Sequence, residues 1–309
     1  LNKLYSQVPF NEVQVKMNKD LENYITLESD SELTYTNAEY EKAEEIFKKL
    51  NKSGKKESPA DELVKELKKL VSYSKIKGGL AHMLSYQHIY HAGNLADVHK
   101  HSVLACVLSY LTQKEKPLTY LETHSGRARY ELDSVASQKT GEAAKGILGI
   151  DLEAWFESDH PYRRVLTKTQ AAYGTMAYPG SPWIASMLLR ARDSLQLAEL
   201  HPAEAKILIE TMGNRARVHQ KDGYVVANAI CPPTPRRGFM LVDPSYEVKA
   251  EYTQIPAFFS RIADKWNVGV LMLWYPILVN SSHIPMIREL KRRFPDVTIH
   301  EVGFPAACD

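Results

Sequence analysis

The sequence predicts an α/β protein built around a mainly parallel sheet. Short apolar runs bounded by turns recur between residues 118 and 302. Segments of helical periodicity, such as Trp183–Arg192 and Ile284–Arg293, separate several of them. Runs that alternate with helices describe βαβ units, and a parallel sheet follows from those. A hydrophobic content of 44% in 309 residues supplies the core such a sheet needs and excludes wholesale disorder.

Arginine usage divides the chain. Residues 1–82 hold 14 Lys and 14 Asp+Glu but no Arg, whereas all 14 Arg lie in residues 83–309. The boundary is marked by Gly78-Gly79 and Met83. Two helices are expected in the first part, which reads as a mainly helical appendage. One carries Ala43, Ile46, Phe47 and Leu50 on one face. The other starts at Ser58 with Asp61 as its capping partner, and Leu63, Val64, Leu67, Leu70 and Val71 form its apolar stripe. Leu1 is not an initiator, so this part is expected to be trimmed or appended.

In the second part, Asn94 can cap a helix running to about Lys114, and Pro117 stops its continuation. Strands are expected at Leu118–Glu122, Ser194–Leu200, Ala216–Val218, Gly238–Val242, Val268–Trp274 and Val297–Val302. Residues 131–179, between the first two, read as an inserted helical piece.

Other classes are set aside by composition. No stretch approaches the ~20 apolar residues of a membrane span, and no secretory signal opens the chain. Cys106, Cys231 and Cys308 are odd in number and lack C-x-x-C spacing, which suits a reducing compartment. A net charge of +2 argues against binding nucleic acid by bulk charge alone.

In an open α/β sheet, ligands bind beyond the carboxyl ends of the strands. Four consecutive strands lead into a carboxylate: Glu122, Glu199, Asp222 and Asp243. Glu199, after the second strand, is placed to accept both hydroxyls of a ribose. Asp222, followed by Gly223, can accept from an adenine amine, although Asp-Gly is also a plain turn. The first loop, Glu122–Arg127, holds only Gly126, so the three-glycine dinucleotide fingerprint is absent and NAD is the poorer reading.

Asp243-Pro244-Ser245-Tyr246 is the most specific signal. An exocyclic amine has its lone pair delocalised into its ring. A carboxylate and a backbone carbonyl that accept its protons let the nitrogen pyramidalise and attack a methyl donor. Asp243 and the Pro244 carbonyl supply those acceptors, and Tyr246 a ring for stacking on an extruded base. His88, His91, His99 and His101 lie within fourteen residues. No thiol or carboxylate stands at ligand spacing to His88 and His91, so metal is not expected there. Phosphate or base contacts from a polar arm, with Lys100, are the better reading.

These residues carry a resemblance. The stretch from Met83 through Tyr86, His88, His91, Gly93, Asn94, Asp97 and Lys100 to His101 resembles the amino terminus of bacterial 23S ribosomal RNA adenine-N6 methyltransferases of the RlmJ type. Glu122–Tyr130, Tyr178–Pro182, Glu199–Pro202, Asp222-Gly223, Arg236–Gly238, Asp243–Tyr246 and Leu273–Pro276 continue it in order. The resemblance covers residues 83 to about 305 and implies a Rossmann-like S-adenosylmethionine-dependent methyltransferase sheet with an inserted helical subdomain. It implies S-adenosylmethionine as cofactor, held by Lys100, His101, His124, Ser181, Glu199, Asp222, Gly223 and Asp243. It implies catalysis by Asp243, Pro244 and Tyr246, and RNA contacts by Tyr86 and His88. The expected partner is large-subunit ribosomal RNA before full assembly, met in the cytoplasm by a monomer, with no membrane involved.

The sequence also departs from the family. Ser245 stands where the acceptor motif usually has a second proline, and Glu122, Arg127 and Arg129 make the first loop bulkier. The family's last strand, antiparallel beside the fifth, does not follow, so Val268–Trp274 is expected to keep an open edge. Two other readings stand beside the main one. One is a DNA adenine-N6 methyltransferase. The other is a non-catalytic nucleic-acid-binding protein linked to use of external DNA.

Overall fold

The computed structural model describes residues 87–278 and 281–303. The two expected helices before residue 82, together with Tyr86 and Cys308, lie outside the described residues. Of the two units into which the chain divides, the described residues belong to the second, residues 81–309.

The sheet is five-stranded and every pairing in it is parallel. Its strands are β1 (Thr119–Glu122), β4 (Ser194–Ala198), β5 (Arg217–His219), β6 (Gly238–Val242) and β7 (Gly269–Leu273). They lie in the order β5-β4-β1-β6-β7, so the order reverses at β1. A parallel sheet buries both faces, and β6, Gly-Phe-Met-Leu-Val, is buried throughout.

Alternation along the strands sends side chains to two cores. Tyr120, Leu197, Phe239 and Leu241 join the first core, with Leu104 and Leu108 of helix α1 (Leu95–Thr112). Leu121, Ala198, Met240 and Val242 join the second. Helices α8 (Gly223–Ile230), α9 (Glu251–Lys265) and α10 (His283–Arg293) cover that second face. Fully burying each such Leu or Phe contributes about 1.5–3 kcal/mol. Among the described residues, the expected strands other than Val297–Val302, and the helices Asn94–Lys114 and Ile284–Arg293, form within two residues of the expected bounds, and Trp183–Arg192 forms as Ser181–Leu188.

Between β1 and β4 the chain makes an excursion. It holds the short helices α2 (Val135–Thr140), α3 (Glu142–Lys145) and α4 (Leu152–Trp155), then α5 (Pro161–Tyr173). It is not purely helical. β2 (Arg129–Glu131) and β3 (Ala177–Pro179) pair antiparallel and join its two ends. Three residues per strand are too few to show alternation in the sequence. After β3, α6 (Ser181–Leu188) leads to β4, and α7 (Pro202–Met212) follows β4.

One expected strand is overturned. Val297–Val302 forms no strand. Its apolar-polar alternation is real, but a strand exists through its hydrogen-bond ladder, and this segment has no ladder partner among the described residues. Its side chains are used instead: His300 bonds His99 at 2.7 Å, and Glu301 accepts from the Tyr275 hydroxyl at 2.5 Å. β7 pairs only with β6 among the described residues, and Val270 on it is 42% exposed.

Candidate active site

The carboxyl ends of β1, β4, β5 and β6 surround one cavity with the amino-terminal turns of α1 and α6. Of the residues expected in the site, it brings together His88, Lys100, His101, His124, Ser181, Glu199, Asp222, Gly223, Asp243, Pro244 and Tyr246. Only Tyr86 is left, outside the described residues.

Helix α1 presents the polar wall. Asn94 caps it by accepting from the Asp97 N–H at 2.8 Å. Asp97, Lys100, His101 and Leu104 then follow at helical spacing, so they share a face. Asp97 is the hub of this wall. It accepts from the Gly93 N–H at 3.0 Å, pairs with His88 at 2.7 Å and meets the Lys100 ammonium at 3.0 Å. Burial pushes its pKa up, but His88 and Lys100 outweigh that and hold it well below the usual carboxylate range.

Lys100 also reaches Asp243 Oδ2 at 2.6 Å. One ammonium thus sits between two carboxylates. Asp243 follows the buried end of β6, and its Oδ1 makes no hydrogen bond among the described residues, nor does the Pro244 carbonyl. Asp243 and Pro244 both line the cavity.

Tyr246 closes that loop with φ +58°, a left-handed conformation that strains a non-glycine residue. It is held there by its hydroxyl, which donates to the Trp274 carbonyl at 2.8 Å, and by the Tyr252 ring 4.7 Å away. One face of Tyr246 is thereby covered. Trp274 itself lines the cavity and lies 5.9 Å from the Lys100 ammonium.

The other ligand-facing residues are held by backbone. Glu199 accepts from the Gly126 N–H at 2.8 Å and the His201 N–H at 2.7 Å; burial raises its pKa against those two bonds. Asp222 caps α8 through Oδ1, which accepts from Tyr224 and Val225 at 2.7 and 3.1 Å. Gly223 lies so close to the β1 loop that a Cβ would stand 1.9 Å from the Thr123 oxygen.

Two of the expected histidines are neutral near pH 7. Burial lowers His101 to about 3, and its Nδ1 is shared with the Tyr178 hydroxyl at 2.9 Å. Burial lowers His124 to about 4. Neither brings positive charge to a phosphate.

Several residues of the site escaped the sequence reading. Asp97 stood inside a recognised stretch without a role. Arg127 forms a forked pair with the buried Glu204 and pins the first loop. Glu122 was named as the first of the four strand-end carboxylates, but it does not line the cavity: it is fully buried, Ser181 and Tyr120 donate to it, and burial raises it to about 8. The Ser125 hydroxyl and Glu251 Oε2 are buried without a hydrogen-bond partner. Glu251 lies near the Tyr246 N–H and the Tyr224 hydroxyl without closing a hydrogen bond to either, and burial raises it to about 7. For Asp97, Arg127, Ser125 and Glu251 spacing gave no signal; only the fold brings them together.

The family model described as ribosomal RNA large subunit methyltransferase D, RlmJ, matches residues 115–302. The chain belongs to this family. Ribosomal RNA large subunit methyltransferase J of Escherichia coli is 40% identical over 216 residues, covering 68% of this chain and 76% of the relative. The same enzyme of Haemophilus influenzae is 40% identical over 210 residues, 65% of this chain and 73% of that protein. A solved Legionella pneumophila protein matches with a TM-score of 0.59 and 38% identity, covering 65% of this chain and 76% of that one. The RlmJ-type chain is thus a methyltransferase with the Rossmann-like sheet of that class, and the cavity lies at the switch in strand order.

Proposed function

We propose that the protein transfers a methyl group from S-adenosylmethionine to the N6 amine of an adenine in 23S ribosomal RNA. The observation that carries this reading is that Asp243 and Pro244 both line the cavity after β6, with no hydrogen-bond partner for Asp243 Oδ1 or the Pro244 carbonyl among the described residues. Both accept from the amine, which draws its lone pair out of the ring. The surplus proton of the methylated amine leaves along the hydrogen bond to Asp243. Lys100 holds the other Asp243 oxygen and fixes the rotamer.

The residues present fit the cofactor. Six carboxylates line the cavity, which suits a sulfonium cation, and the unpartnered Ser125 hydroxyl awaits a polar atom. When bound, the cofactor supplies an electrophilic methyl group. Glu199 would hold its ribose and Asp222 its adenine amine. Lys100, His101, His124, Ser181 and Gly223 would complete the pocket. Tyr86 and His88 of the amino-terminal arm would meet the RNA.

Holding amine and methyl donor in line supplies much of the rate. The adenine must leave its stack, at a few kcal/mol, so free RNA before full assembly, in the cytoplasm, is the substrate. The catalytic unit is residues 83–309, acting as a monomer, and deletion of residues 1–82 leaves methylation intact. The test is incubation with deproteinised large-subunit RNA and labelled cofactor, with duplex DNA as competitor. Label in N6-methyladenine of RNA is expected. Cofactor binding without such label, or label in DNA alone, would overturn the assignment.

A further inference from the structure

The site presents an electrostatic problem for an RNA substrate. The cavity lining holds six carboxylates against one lysine, a balance that offers phosphate few partners there. Eight of the 25 Lys and Arg in residues 83–309 stand in the loops that enter the strands, at the opposite end of the sheet.

The loop before β1 carries Lys114 and Lys116, both exposed. The loop before β4 carries Arg190 and Arg192. Arg215 and Arg217 stand at the start of β5, and Arg236 and Arg237 before β6. Against these eight cations the same loops hold two acids, Glu115 and Asp193. The loops are tied together. Arg190 donates to the Thr112, Lys114 and Lys116 carbonyls, Arg192 pairs with Glu115 at 2.8 Å, and Arg237 donates to Lys116 O at 3.1 Å. Arg190 and Arg237 thus act as struts, and the exposed cations beside them form a belt across the end of the sheet where the strands begin.

We propose that this belt binds the phosphodiester backbone of the substrate RNA, at a second contact remote from the methylated base. The inference rests on the reading of the protein as an RNA methyltransferase. Phosphate contacts position a nucleic acid without reading its sequence, and affinity comes mostly from them. Strands of three to five residues place the belt about 10–17 Å of strand, plus the loops, from the cavity. A folded RNA can span that distance; a mononucleotide cannot. The belt therefore makes the enzyme prefer a large folded RNA to a short one.

The test uses the full chain and the triple variant Lys114→Gln, Lys116→Gln, Arg217→Gln. These side chains are exposed and are neither struts nor part of the cavity. The control triple, Lys145→Gln, Lys168→Gln, Lys206→Gln, removes equal charge from exposed positions on other elements. Binding to large-subunit RNA transcripts is measured across salt, and cofactor binding by calorimetry. The belt variant is expected to lower the slope of log K against log salt by about 2 and to weaken RNA binding at ~0.1 M salt at least tenfold. Cofactor heats should not change. RNA binding equal to the parent's, or no weaker than the control's, overturns the belt while leaving the methyl-transfer reading intact. Belt-dependent RNA binding with no methylation overturns the methyl-transfer reading alone.

Discussion

Gly223→Ala tests whether the cofactor pocket depends on a backbone-to-backbone approach. A Cβ there would meet Thr123 O at 1.9 Å, its carbonyl carbon at 2.6 Å and its Cα at 2.7 Å. All three are main-chain atoms of the loop that follows β1, so no flexible side chain can swing aside. Either α8 or that loop must retreat by about an ångström, an overpacking that costs roughly 1–3 kcal/mol. For a domain of this size that lowers Tm by about 3–10 °C. The retreat also displaces Asp222, which caps α8 and faces the cavity. A misplacement of about 1 Å can cost ~100-fold in turnover. The assay is thermal unfolding with calorimetry of S-adenosylmethionine binding, beside Gly303→Ala, where an added Cβ meets nothing within 4 Å. A Gly223→Ala variant with the parent's Tm and cofactor affinity would refute the reasoning.

Asp243→Asn should abolish methylation while leaving cofactor binding within a few-fold, measured by labelled-methyl transfer and calorimetry. Glu199→Ala should weaken cofactor binding first, by at least tenfold, because it also frees the Gly126 and His201 N–H groups. Folded-state values raised to about 8 for Glu122 and about 7 for Glu251 mean that both hold protons which the unfolded chain releases above pH ~4.5. Their contribution to stability is therefore complete in acid and is lost as pH rises to 8, at up to about 1.4 kcal/mol per pH unit for each. Glu122→Gln should flatten that decline in denaturant titrations between pH 5 and 8; an unchanged slope would contradict the burial account.

The parts of the fold that were legible share one property: their signal is local. Leu118–Glu122 and Gly238–Val242 are short apolar runs between turns, and Asn94 with Pro117 brackets α1. Glu199, Asp222 and Asp243 could be placed because strand ends, and so the rim, follow from those runs; Glu122 ends a strand too but turns into the core. What was illegible depends on partners distant in sequence. Val297–Val302 alternates like a strand but has no ladder to join. β2 and β3 exist only through each other. Asp97 gains its role from His88, Lys100 and the position of Asp243, which no spacing encodes. Tyr246 was read as an open stacking ring, whereas its hydroxyl and one ring face are engaged within the loop.

Lys100 serves both Asp97 and Asp243. A counter-ion held in common binds the histories of its two acids together. Exchange of either for a neutral residue leaves the ammonium one carboxylate short, so helix α1 and the acceptor loop cannot drift independently. Variation at either position should come paired with compensation at the other.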